Sequence, residues 1–143
     1  MYGSLFWIEW LDRLDRVLTS TRRDVANLSR AVSPRSLEAI QRSKRQLAAL
    51  TNDLRLLDRS VLPAGPDGTT PHVADNLQSA LDTTVFQLGN LAVSLSASTP
   101  ALRERALAAI DSALRDSCYE AAMLLAPRRR VEAPVPAPGR PHL

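Results

Sequence analysis

Side chains that could carry out catalysis are few along the 143-residue chain. Cys118 is the only thiol, and His72 and His142 are the only imidazoles. No glutamate is followed three residues later by a histidine, so the Glu-x-x-His pairs of di-metal helical bundles are missing. The sequence also lacks a glycine-rich phosphate loop and the Cys/His spacing of zinc sites. We therefore expect a non-enzymatic protein with no catalytic residue, metal or cofactor.

Composition indicates a helical protein. Leucine and alanine dominate the sequence and β-branched residues are sparse, which favours helices over strands. The lone cysteine excludes an intramolecular disulfide, and the first residues lack the basic region of a secretory signal. No stretch reaches the roughly 18 consecutive apolar residues of a membrane-spanning helix. Together these features lead us to expect a cytoplasmic protein.

Prolines divide the chain into four predicted helices. Ser or Thr before Pro is a typical helix start, because the hydroxyl caps the first turn and proline needs no hydrogen-bond acceptor there. This pairing occurs at Ser33-Pro34, Thr70-Pro71 and Thr99-Pro100, and Pro127 is expected to end the last helix. The predicted helices span residues 4–32, 35–60, 71–97 and 100–126.

The first predicted helix has a regular apolar seam. Its members alternate between spacings of four and three residues: Trp7, Leu11, Leu14, Leu18, Thr21, Val25, Leu28 and Val32. Such a heptad pattern predicts packing nearly parallel or antiparallel to a partner helix. The short connection at Ser33-Pro34 predicts a sharp fold-back, with a kinked continuous rod as the alternative.

The predicted fold class is therefore all-α: four long antiparallel helices with coiled-coil-like packing. We expect one helical bundle domain over residues 1–126, made of the hairpins 4–60 and 71–126. The third helix has only two charged residues, Asp75 and Asp82, so we expect it to be covered within this chain or by another copy. Residues 127–143 are rich in arginine and proline and lack apolar periodicity, which predicts a disordered tail.

Apolar side chains surround the first turns of the first helix. Four of the six aromatic residues lie within the first ten positions, and a single partner helix cannot cover them all. A membrane surface is disfavoured, because Glu9, Asp12 and Asp15 stand where an interfacial helix carries basic residues. Aromatic residues often anchor protein interfaces. We therefore predict that this region binds a second copy or another protein through Leu5, Phe6, Trp7 and Trp10.

Positive charge is concentrated in residues 22–60, where nine basic residues face four acidic ones. These side chains either coat a solvated surface or contact the phosphates of a nucleic acid. The absence of aromatic residues from this range favours a duplex over a single strand, which is usually stacked on aromatic rings. The predicted phosphate contacts are Arg35, Arg42, Arg45 and Arg55.

In layout, residues 4–62 resemble the small helical silencing suppressors of insect nodaviruses, and the resemblance rests on no shared motif. It implies a helical hairpin that dimerises and lies along double-stranded RNA. Two functions are thus expected from the sequence. The first is a non-enzymatic assembly or adaptor protein that forms homo-oligomers and docks partners through apolar helix faces. The alternative is a duplex RNA-binding protein, such as a viral RNA-silencing suppressor.

Overall fold

The computed structural model describes residues 2–28, 32–58, 70–96 and 99–132. These residues form four helices and no strand: α1 (Tyr2–Leu28), α2 (Pro34–Leu56), α3 (Thr70–Ser96) and α4 (Pro100–Glu132). The all-α fold predicted from composition and proline punctuation is confirmed. Within this part of the chain, no helix combines the length and the apolar character that crossing a membrane requires.

The start of α2 follows the expected capping chemistry. Ser33 has an extended backbone (φ −139°, ψ 167°), and its hydroxyl accepts a hydrogen bond from the Ser36 amide at 3.3 Å. The Ser36 hydroxyl in turn accepts the Ser33 amide proton at 3.2 Å, which completes a reciprocal cap. Because the backbone leaves the helical region at Ser33, the alternative of a continuous kinked rod is wrong.

Helix α4 does not end where the sequence predicted. It continues through Pro127 to Glu132, so the predicted end of the helix at residue 126 is corrected. Proline removes one backbone donor, but its fixed φ is helical, and residues after it can therefore continue the helix. The rest of the predicted disordered tail, residues 133–143, lies outside the described residues.

Each helix packs against the next along the chain, and α4 returns to contact α1. Trp10 and Asp24 of α1 contact Leu50 and Ser43 of α2, respectively, so the contacts run in opposite order along the two helices. This is the order expected for an antiparallel hairpin. Helices α3 and α4 also lie side by side. The Thr84 hydroxyl of α3 lies 3.1 Å from the Ala113 carbonyl oxygen of α4.

One hydrophobic core runs through the bundle and receives side chains from all four helices. The predicted seam of α1 is buried from Trp7 to Leu28, whereas Val32 lies beyond the end of α1 and is exposed. Fully burying a leucine-sized side chain contributes about 1.5–3 kcal/mol. The core therefore holds the four helices together and determines which of their faces remain at the surface.

Candidate interaction surfaces

The N-terminal tryptophans belong to the core of the chain itself. Trp10 is 1% exposed, and its indole N–H donates a 3.0 Å hydrogen bond to the carbonyl oxygen of Leu50. Trp7 is also buried and stacks on Trp10, with ring centroids 5.3 Å apart. The prediction that these two residues are presented to a partner is thereby corrected. Contact with two neighbouring helices buries a wider arc of α1 than a two-helix seam would.

The other two residues of the predicted interface remain outside the core or undescribed. Phe6 lies at the border between half-buried and exposed. Leu5 belongs to α1, but its side chain lies outside the described residues. Phe6 is thus the one side chain of the predicted set that the structure places at the surface.

The outer face of α2 carries the arginines predicted to contact phosphates. Arg35, Arg42 and Arg45 are all exposed, and their spacings of seven and three residues place them on one side of the helix. None of the three has a hydrogen bond or ion pair with another residue in the described ranges. Glu38, exposed between them, lowers the net charge of this face.

Arg55 does not join that group. Its guanidinium points toward α3 and lies 2.5 Å from a carboxylate oxygen of Asp82. The same Asp82 oxygen is within 3.5 Å of the Gln78 side-chain amide. Both members of the ion pair are about half exposed, so the pair contributes little to stability, but it directs Arg55 away from the outer face.

The outer face of α3 is apolar where the sequence lacks charge. Phe86 is 65% exposed and Val93 is 72% exposed, and they lie seven residues apart on the same side of the helix. Residues 83–99 contain no charged side chain. Lys44 of α2 borders this face: a methyl group added at Gly89 would lie 3.2 Å from its amino nitrogen. The sequence showed the lack of charge, but not which apolar residues would face outward.

Two open grooves lie between α3 and α4, one near the connection between them and one close to the middle of α4. The groove near the α3–α4 connection has a volume of about 370 Å³ and contains Val93, Leu102 and Arg105 in its wall. The groove near the middle of α4, about 380 Å³, is lined by Tyr119, Asp116 and Glu120. The first groove is therefore apolar with a cation at its edge, and the second is aromatic and acidic.

Two features of the described residues bear on reactive chemistry: the pKa of the Cys118 thiol and the lack of a metal-binding cluster. Burial raises the pKa of the Cys118 thiol, and the nearby charge of Arg22 opposes this shift without cancelling it. A thiol held protonated in this way is a weak nucleophile. In the described part of the chain, no group of three or more His, Cys, Asp or Glu residues could hold a metal ion.

The comparisons with known proteins add no relative. No protein-family model, no curated protein and no solved structure matches the chain. The candidate functional surfaces are therefore the outer faces of α2 and α3 and the two grooves between α3 and α4.

Proposed function

We propose that this chain is a non-enzymatic helical assembly protein that pairs with a second copy of itself through the outer face of α3. The observation that carries the proposal is the exposure of Phe86 and Val93, seven residues apart in the charge-free range 83–99. Two large exposed apolar side chains on one side of a helix form a candidate interaction surface.

The arrangement of the two residues is compatible with a second copy as the partner. Phe86 and Val93 lie at equal distances from the midpoint between Gly89 and Asn90. In a twofold dimer the same patch meets itself, so two antiparallel α3 helices crossing at this midpoint would place Phe86 opposite Val93 twice. Residues 83–99 themselves create no like-charge contact in such a pair, and the cation that borders the crossing point in the described part of the chain is Lys44, beside Gly89.

Light scattering of a charge-insertion variant tests this interface. We expect the wild type to have a mass near twice 15.7 kDa at micromolar concentration. The variant Phe86→Glu/Val93→Glu should weaken pairing at least tenfold, or about 1.4 kcal/mol, because it buries carboxylates without partners. Leu56→Glu is the matched control, since Leu56 is an exposed apolar residue on α2. A monomeric wild type, or equal weakening by Leu56→Glu, would contradict the proposal.

A second candidate function, binding to duplex nucleic acid, is favoured by Arg35, Arg42 and Arg45 on the outer face of α2, which have no hydrogen bond or ion pair with another described residue. Arg16 and Arg23 are also exposed, seven residues apart on the adjacent helix α1. Contacts with phosphates give affinity that is independent of sequence and falls with salt. The apolar patch of α3 and the basic face of α2 lie on different helices, so binding and self-association are compatible.

The salt dependence of duplex binding tests this candidate. Replacing Arg35, Arg42 and Arg45 by Gln should reduce affinity for random duplexes. It should also lower the slope of log affinity against log salt by about 2.7, at about 0.9 per contact for a B-form duplex. Arg55→Gln is the matched control, because Arg55 is directed toward Asp82, and it should leave the slope unchanged. Absence of salt-dependent binding by the wild type would eliminate the candidate.

A further inference from the structure

We propose that the C-terminal segment of the same chain, residues 134–141, binds in the groove formed by Asn76, Ser79, Asp116, Tyr119 and Glu120. This inference is independent of self-association through α3. The groove combines an exposed aromatic ring with two carboxylates that have no hydrogen bond or ion pair with another described residue. Aromatic side chains in a groove bind the faces of proline rings, and neighbouring acids bind a cation.

The segment that follows α4 has the complementary composition. Its sequence, PVPAPGRP, contains four prolines and one charged residue, Arg140. Prolines favour the extended polyproline II helix, which has three residues per turn. Pro138 and Pro141 would therefore lie on one face of that helix, available to Tyr119, while Arg140 would extend from a different face.

The length of the segment fits this groove. Tyr119 lies 13 residues before the end of α4 at Glu132, which is about 20 Å along the helix at 1.5 Å per residue. A segment that reverses at residue 133 and runs back as polyproline II advances about 3.1 Å per residue. With residues 133 and 134 in the turn, the six residues from 135 to 140 then span about 19 Å, which brings Arg140 level with Tyr119 and within reach of Glu120. Pro141 follows Arg140 by one residue, about 3 Å, and therefore lies next to the Tyr119 ring.

The other groove between α3 and α4 does not fit. Arg105 in its wall lies 27 residues before Glu132, about 40 Å along α4, whereas Arg140 reaches about 19 Å from Glu132. Arg105 would also place a like charge near Arg140. Both length and charge therefore select the groove at Tyr119.

A spin label on the segment tests the contact in the full-length chain. In a Cys118→Ser background, Gly139→Cys provides one labelling site, and amide signals are recorded by nuclear magnetic resonance. We expect selective loss of signal at Ser79, Tyr119 and Glu120, with recovery when the label is reduced. Asp116→Asn/Glu120→Gln should abolish the loss. Asp111→Asn should preserve it, because Asp111 lies outside the groove and accepts a hydrogen bond from Arg115. Loss of signal spread evenly over the surface, or unchanged by the groove variant, would overturn the proposal.

A mixing experiment distinguishes the occupant. Isotope-labelled chains without the spin label are mixed with spin-labelled chains at natural isotope abundance. If the segment binds its own chain, the groove signals of the mixture remain at full intensity. Selective loss in the mixture would show that the segment of another copy fills the groove, and the assignment to the same chain would be wrong. Circular dichroism of every variant verifies that the helices are intact.

Discussion

The first turns of α1 and the outer face of α3 are both apolar, and both are candidate interfaces. The fold buries the tryptophans of the first region and leaves the apolar side chains of the second exposed. Trp7 and Trp10 are buried, and Trp10 donates a hydrogen bond to Leu50 of α2, whereas Phe86 and Val93 remain exposed. Aromatic content therefore does not locate the exposed apolar surface of this protein. Whether an apolar side chain is exposed depends on its position relative to the two neighbouring helices, because each neighbour removes part of its surface from water.

The largest expected effect compares truncations in the two regions. Trp10→Ala should lower the free energy of unfolding by about 3–5 kcal/mol, since it leaves a cavity and removes the hydrogen bond to Leu50. Phe86→Ala should change it by no more than about 0.5 kcal/mol at protein concentrations low enough to exclude self-association. Urea denaturation followed by circular dichroism measures both values. Equal effects would mean that the two environments are not distinct.

A smaller loss of stability is expected from a substitution on the side of α3 that faces the core. The Thr84 hydroxyl lies 2.7 Å from that of Ser117, and both residues are fully buried. Thr84→Val should destabilise the bundle by about 1–3 kcal/mol, because the Ser117 hydroxyl loses its partner.

The double variant Thr84→Val/Ser117→Ala provides the control for that measurement. Removing both polar groups together is expected to restore most of the lost stability, since no buried hydroxyl is left unpaired. Additive losses in a thermodynamic cycle would show that the two hydroxyls act independently. In that case, the side of α3 that faces the core would pack against α4 through side-chain shape alone.

A stabilising effect of up to about 1 kcal/mol is expected from Gly89→Ala, because glycine in a helix interior is less favourable than alanine by that amount. The added methyl group would meet only the tip of the flexible Lys44 side chain, at 3.2 Å from its nitrogen. Thermal unfolding of Gly89→Ala, with Lys44→Ala/Gly89→Ala for comparison, measures the gain. Destabilisation that persists in the double variant would show that α2 and α3 approach more closely than this contact indicates.

Local features of the sequence predicted the fold well. The cap at Ser33 and the seam of α1 depend on residues within a few positions of one another, so their patterns are visible without knowledge of the partner helices. The exposure of Phe86 and the pairing of Arg55 with Asp82 depend on how α3 is rotated against α2 and α4. That rotation is a property of the whole core, and a single helical pattern does not contain it.

The four arginines predicted to contact phosphates show the same limit, because the sequence could place only three of them correctly on one side of α2. Arg35, Arg42 and Arg45 could be grouped from sequence because their spacing alone places them on one side of α2. Arg55 lies ten residues beyond Arg45 along the same helix and faces α3. The continuation of α4 through Pro127 was missed for a different reason: proline disfavours a helix without excluding it.

The smallest expected effect is a change in the titration of Cys118. This titration depends on how well α1 shields that part of α4 from water. Burial raises the pKa of this thiol above its ordinary value of about 8.5, while Arg22 of α1 lowers it. Alkylation by iodoacetamide should therefore follow a pH midpoint above that of a free thiol. Arg22→Gln should move the midpoint further up, and Asp15→Asn should move it down, since the Asp15 charge raises the pKa.

The same shift predicts a pH dependence of stability. The folded chain holds the thiol proton more tightly than the unfolded chain, so stability should fall as the pH rises from about 8.5 to the folded pKa. Below that window both states are protonated and the thiol has no effect. Cys118→Ser should remove this part of the pH dependence. An alkylation midpoint at or below that of a free thiol would show that water reaches Cys118, and that α1 covers this side of α4 less tightly than it buries its own tryptophans.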